Sequence, residues 1–281
     1  METYVFAAVL FAAACHAGWN AVLKIGLDPF GGTTLIALGA AAFAVPLLFF
    51  VEFPPPPVWP WIAASVALHL FYYIGLCEAY RAGDMGQVYP IARGSAPLMT
   101  ALIATFVLHE NPGLFGWAGI IVLAIGIFLI SFRGGDKQGL NTRAVGFALF
   151  TAATIACYSI VDGAGARLSG NAFAYSVALF VFDGLGMTLL ALVWRGPRII
   201  AEIAPFWRSG LLGGGLSFLA YAIVIWAMTK APIALVAGLR ETSVLFGSAI
   251  AVIVLREKLR PMRIIAACII VAGLILMRLQ P

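Results

Sequence analysis

RGSAPLMTALIATFVLHE, residues 93–110, and RETSVLFGSAIAVIVLRE, residues 240–257, are the two stretches on which the reading of this chain depends. Set in register, Arg93 meets Arg240, Ile103-Ala104 meets Ile250-Ala251, Val107-Leu108 meets Val254-Leu255 and Glu110 meets Glu257, all at an offset of 147. Apolar identities are cheap in a hydrophobic chain. An arginine recurring inside the apolar run and a glutamate recurring just after it are not, and together they point to an internal duplication. Phe71 with Phe218 and Gly126 with Gly273 fall on the same offset.

Outward from this pair, composition sets the solvent. Of 281 residues, 63% are hydrophobic and 10% charged, too little polar surface to cover a water-soluble globule. Most of the surface must face lipid. A hydrocarbon core about 30 Å thick takes roughly 20 residues at 1.5 Å rise, so the chain supplies about ten spans with short loops. Apolar runs bounded by Pro, Gly and charge place them near 3–25, 30–52, 59–80, 88–108 and 112–132, then 144–167, 171–194, 205–229, 232–255 and 261–279. The first run follows Met1-Glu2 without a basic segment and is read as a permanent span, not a cleaved signal. The expected fold class is therefore an all-α integral membrane protein of ten transmembrane helices in two five-helix repeats, 1–133 and 144–281, joined by a cytoplasmic linker at 134–143. An odd number of spans per half inverts the second repeat, an arrangement that transporters build around a midplane site.

Charge supplies orientation. Lys24, Arg81, Arg133, Lys137, Arg143, Arg195, Arg198, Arg208, Arg256, Lys258, Arg260 and Arg263 fall on one set of loops, whereas Arg167, Lys230 and Arg278 fall on the other. The positive-inside rule assigns the first set to the cytoplasm and both termini to the outside. The net charge of +5 is then a topology signal, and no nucleic-acid partner is expected. Cys15, Cys77, Cys157 and Cys268 lie in apolar runs as small hydrophobes, so neither a disulfide nor a metal site is expected.

A charge near the bilayer middle is costly unless paired or hydrated, so ionisable residues inside the runs mark a candidate pathway. Arg93 and Arg240 come first, each in the early turns of its span and expected near opposite membrane faces, where a guanidinium can hold a carboxylate in a bidentate contact or simply snorkel. Glu241 is one residue from Arg240, about 100° away on a helix, so the two need not pair. His16 and Asn20 share a face with Trp19 beside them, and Tyr158, Ser159 and Asp162 form a similar group in the sixth span. Helix-to-helix hydrogen bonding explains such groups equally well. In the third span either Tyr73 with Cys77 and Tyr80, or Phe71 with Gly75 and Glu78, faces inward, and the sequence does not decide which. Ser217 and Tyr221 share a face of the eighth span, and Asp183 near the middle of the seventh is a candidate proton carrier. Pro90, Pro97 and Gly213-Gly214-Gly215 are weak points for hinges or, more commonly, sites of close helix approach.

His16-Ala17-Gly18-Trp19-Asn20, the run from Pro90 through Arg93 and Pro97 to Glu110, and its partner from Arg240 to Glu257 together resemble the EamA type of the drug/metabolite transporter superfamily, over essentially the whole chain. Within it the chain is most similar to YddG-type amino-acid exporters. The resemblance implies a central cavity from spans 1, 3, 4, 6, 8 and 9, alternating access, and export of aromatic and other neutral amino acids across a bacterial inner membrane. Drugs, organic cations or another metabolite are the alternative cargo. No cofactor is implied, and a monomer is expected.

An enzyme would need converging nucleophiles, bases or metal ligands; His16, His69 and His109 are scattered and neither HExxH nor a phosphate loop occurs. A channel would show a polar filter or a charged ring. Neither pattern is present, so a carrier for a small organic molecule is the expectation.

Overall fold

The computed structural model describes residues 1–22, 26–83, 85–131, 141–253, 256 and 261–280. In chain order the helices are α1 (Thr3–Val22), α2 (Pro29–Leu47), α3 (Trp59–Ala82), α4 (Met85–Val107), α5 (Gly113–Ser131), α6 (Thr142–Ser169), α7 (Ala172–Arg195), the short α8 (Arg198–Ile203), α9 (Trp207–Met228), α10 (Ile233–Arg240), α11 (Ser243–Ile253) and α12 (Pro261–Leu279). Among the described residues nine segments are long and apolar enough to cross a membrane, and α5, apolar over Gly113–Leu129, is a shorter one. Phe106, Leu114, Ile125, Leu185, Val193, Leu212 and Ile275 stand exposed on the outer surface, an apolar coat that water would not tolerate and lipid does. The chain is a multi-pass membrane protein.

Helix ends follow local chemistry. Asp28 caps α2 by accepting from Phe30 N at 3.2 Å and Gly31 N at 3.3 Å, with Pro29 at the first helical position. Asn171 caps α7 in the same way, at 3.1 Å from both Phe173 N and Ala174 N. Gly170, at φ 69°, ends α6 in the left-handed region, where a side chain would be strained. The second span stops at Leu47, short of the expected 52, because Pro46 occupies its last turn and the next amides bond three residues back.

Hydrogen bonds between helix ends define two faces. Arg278 donates to Met1 O and Thr3 Oγ1, each at 2.6 Å, and Gly116 N donates to Gln280 Oε1 at 3.2 Å. Arg167 donates to Met228 O at 2.8 Å, to Ala231 O at 3.0 Å and to Glu110, whose other oxygen accepts from Ile233 N at 2.8 Å. The starts of α1, α5 and α10 and the ends of α4, α6, α9 and α12 therefore share the face that holds both termini. On the other face Arg195 pairs with Asp28, Asn141 Nδ2 donates to Ala82 O at 2.7 Å, and Glu78 meets Arg81 at 2.6 Å and Arg143 at 3.8 Å. Consequently α1 and its repeat counterpart α6 start on different faces and run in opposite directions.

The repeat offset of 147 also predicts which residues touch. A methyl added at Gly273 would lie 2.8 Å from Leu123 N, and one added at Gly126 would lie 3.0 Å from Ile270 N; the second contact is the first with both partners shifted by the offset. A methyl added at Gly184 would lie 3.2 Å from the carbonyl oxygen of Ala37, its partner at that offset, where α2 meets α7. A pseudo-twofold axis thus passes between α2 and α7 and between α5 and α12, and small residues on it let the backbones approach closely. Gly213, Gly214 and Gly215 serve the same purpose against Ile36, Ala40 and Phe43. The α4 helix runs without interruption through Pro90 and Pro97.

Two departures from this symmetry matter. The expected ninth span, 232–255, is two helices, because hydrogen bonds shift from the fourth to the third preceding residue at Glu241 and Thr242 and break the rod there. Where α4 packs along α5, the equivalent α11 barely touches α12, leaving an apolar groove bordered by Leu245, Val252, Ile264 and Val271. Lys24, Arg133, Glu257, Lys258, Arg260 and most of the linker, residues 134–140 with Lys137, lie outside the described residues.

The Asp28 cap yields a pH prediction. Partial burial alone would raise its carboxyl; the Arg195 hydrogen bond and charge, with the Gly31 and Phe30 amides, outweigh that and hold it below the ordinary value of 3.8. A depressed folded value contributes stability that is complete at neutral pH and is lost as pH falls through it. Asp28→Ala is expected to cost about 1 kcal/mol at pH 7. Melting curves of wild type and Asp28→Asn, compared between neutral pH and pH about 3, should converge on acidification; a constant gap would contradict the assignment.

Candidate functional site

A chamber opens beside the pseudo-twofold axis, walled by seven helices: His16 and Trp19 of α1, Thr33 and Ile36 of α2, His69, Tyr72 and Tyr73 of α3, Tyr158 of α6, Leu179, Phe180 and Asp183 of α7, Ser217 and Tyr221 of α9, and Arg240 of α10. Its cavity volume is about 70 Å³. The chamber is narrow, with room for a few water molecules.

Arg93 and Arg240 do not stand near opposite faces as expected; they converge. Arg93 Nη1 lies 3.1 Å from Glu241 Oε2, and Arg240 Nη2 lies 3.3 Å from Glu241 Oε1. Helix rise explains the meeting. Arg93 is about 12 Å from the start of α4 and Arg240 about 10.5 Å from the start of α10, on opposite faces of a core about 30 Å thick. The remaining 7–8 Å, roughly, is within reach of two arginine side chains. The break after Arg240 also overturns the expectation that Arg240 and Glu241 diverge, since the tightened turn admits both to one cluster. Symmetry places two like charges together, and Glu241 occurs only once, its counterpart at the offset being Gly94. One positive charge is left over, with Arg240 lining the chamber.

Around Arg240 the wall is aromatic. Its guanidinium carbon lies 5.7 Å from the Tyr158 ring centre and 5.9 Å from that of Tyr221, and His69 stacks on Tyr158 at 4.2 Å. His69 Nδ1 is 2.9 Å from the Ser65 carbonyl; a carbonyl only accepts, so Nδ1 carries a proton there. His16 takes Arg93 on Nε2 and the Trp19 indole on Nδ1 at 3.3 Å. A neutral imidazole accepts at one nitrogen, so these two donors compete.

Two carboxylates complete the polar set. Asp162, fully buried, accepts from Tyr175 at 2.9 Å and from Tyr221 at 2.5 Å, one phenol on each oxygen. Asp183 accepts from Tyr73 at 3.0 Å on Oδ2, while Oδ1, also buried, has no hydrogen-bond partner among the described residues.

Of the residues singled out in the sequence, His16, Trp19, Tyr73, Tyr158, Asp183, Ser217, Tyr221 and Arg240 come together on this wall. Arg93, Asp162 and Glu241 stand behind it, bonded to groups that line it. The others lie elsewhere. Asn20 donates to His16 O at 2.8 Å, Ser159 donates to Ile155 O at 2.7 Å, and Tyr80 packs with Ala79, Val88 and Ala148. Glu78 is a correction: held by Arg81 and Arg143 at the end of α3, it belongs to a membrane face. The inward surface of α3 is His69, Tyr72 and Tyr73, at i, i+3 and i+4, while Phe71 points outward and Gly75 packs on Phe150. Among the described residues the fourth span contributes none to the lining; the second and seventh do instead, through Thr33, Ile36, Leu179 and Phe180. The repeat carries the missed signal, because Ile36 is the partner of Asp183 and Thr33 that of Phe180.

The profile of the EamA-like transporter family matches the chain twice, over residues 3–132 and 142–279. No curated protein matches it. A crystal structure of a protein 19% identical in sequence superposes with a TM-score of 0.75, covering 98% of this chain and 95% of that one, a likeness of fold.

Proposed function

Because this chain belongs to the EamA-like transporter family and is a membrane transporter, we propose that it exports amino acids, aromatic ones included, by alternating access between two repeats inverted in the bilayer. One observation carries the reading: a surplus guanidinium, Arg240, buried on the chamber wall and facing the rings of Tyr158 and Tyr221. A guanidinium recognises a carboxylate, and the rings offer an apolar surface for the side chain. Basic residues gather on the face away from the termini, which supports a cytoplasmic location for that face in a bacterial inner membrane and both termini outside. The chain is proposed to act as a monomer, with a small metabolite and the bilayer as its partners.

Proteoliposomes loaded with labelled amino acids test the reading. Counterflow of phenylalanine or tryptophan is expected, and a screen in which no amino acid exchanges would reject it. Arg240→Gln leaves Arg93 and Glu241 as a neutral pair, so the protein should fold and lose about tenfold or more of its transport. Full transport by that variant would remove Arg240 from the site. Asp183 on the same wall favours organic cations as a second reading, distinguished by whether an amine lacking a carboxylate competes as well as the amino acid.

A further inference from the structure

Symmetry isolates one residue of the chamber. Ile36 and Asp183 are repeat partners, both line the cavity, and one is a hydrocarbon where the other is an acid. Packing alone is satisfied by the isoleucine. The acid is 4% exposed, near the middle of α7, in a position where an unpaired polar group carries a penalty.

The hydrogen-bond inventory sharpens the contrast. Both oxygens of Asp162 are taken by phenols, and Glu241, although its Oε2 likewise lacks a hydrogen-bond donor among the described residues, is compensated by two guanidiniums. Tyr73 fixes one oxygen of Asp183 and leaves the other without a donor among the described residues. Oδ1 has almost no accessible surface, so a donor arriving in the cavity completes it as the Asp183 side chain turns toward the ligand. The rings of Tyr72, Tyr73 and Phe180 stand on the same wall, the surroundings that favour a cation.

We propose that Asp183 is the subsite for the substrate's ammonium group, its Oδ1 accepting an N–H while Tyr73 holds Oδ2. This rests on the amino-acid reading above and deepens it: Arg240 takes the carboxylate, Asp183 takes the ammonium, and the chamber selects zwitterions over molecules bearing either charge alone. The difference between Ile36 and Asp183, repeat partners that both line the chamber, gives its ligand a defined orientation.

Calorimetric titration of the purified full-length protein with L-phenylalanine, phenethylamine and 3-phenylpropionate tests this. Wild type should bind phenylalanine about tenfold or more tightly than either truncated ligand. Asp183→Asn should weaken phenylalanine and phenethylamine by about tenfold or more and leave 3-phenylpropionate within about twofold, which also reports an intact chamber. Arg240→Gln should show the reverse pattern, weakening phenylalanine and 3-phenylpropionate. Asp183→Glu should recover part of the amine affinity. Unchanged amine affinity in Asp183→Asn overturns the proposal, including the case where only accumulation driven by a pH gradient is lost and the residue is a proton carrier. Equal weakening of all three ligands also overturns it, as does a wild type that binds neither amine. Wild type that binds phenethylamine through Asp183 but no amino acid would uphold the ammonium subsite while rejecting the amino-acid reading.

Discussion

Replacing Glu241 with Gln should destabilise the purified protein by about 3–5 kcal/mol, the cost of leaving a buried charge without its partner. Glu241 is fully buried and Arg93 and Arg240 nearly so, and its carboxylate stands between guanidiniums that the pseudo-twofold axis brings together. Gln keeps the shape and removes the only negative charge among the described residues that contacts both. Two positive charges would then face each other in a medium that screens them poorly. The double variant Glu241→Gln with Arg93→Gln leaves one cation beside polar side chains and should recover a substantial part of the loss, a coupling of the kind double-mutant cycles detect. Thermal or denaturant unfolding in detergent reads both. A single variant within about 1 kcal/mol of wild type would show that the triad is hydrated or otherwise compensated.

Gly39→Ala is expected to be among the most disruptive one-carbon changes at the described glycines, at about 3 kcal/mol or more. A β-carbon at Gly39 would lie 2.0 Å from the Gly210 carbonyl oxygen and 3.3 Å from Gly214 Cα, both backbone atoms. A rotamer change cannot relieve that contact, so α2 and α9 must separate along their crossing. Gly146 in α6 has nothing within 4 Å of the same added atom. There Ala should be neutral to slightly stabilising, because it favours the helix by up to about 1 kcal/mol. Monodispersity and melting temperature of the two variants in one detergent separate packing from any general intolerance of glycine replacement; similar behaviour would refute the crossing geometry.

The repeat was legible because recurring Arg and Glu are conspicuous in an apolar chain, and it carried more than was taken from it. The offset that pairs Arg93 with Arg240 also pairs Ile36 with Asp183 and Thr33 with Phe180, and all four of those residues wall the chamber. Asp183 attracted notice by its charge, while Ile36, Thr33 and Phe180 did not. Glu78 misled for the converse reason. A carboxylate in an apolar run looks intramembrane until the helix end is known, and α3 ends only four residues later, at Ala82.

By itself, the sequence determined that this protein lives in lipid, that it crosses about ten times, and that its halves are duplicates, because burial of backbone polar groups in a bilayer permits few alternatives to apolar helices. Only the tertiary structure decided where the polar groups meet. Depth along a helix follows from counting residues, but convergence depends on helix direction, crossing and one break in the backbone. Those three together bring Arg93, Arg240 and Glu241, distant in sequence or diverging on an ideal helix, into a single buried cluster beside the chamber.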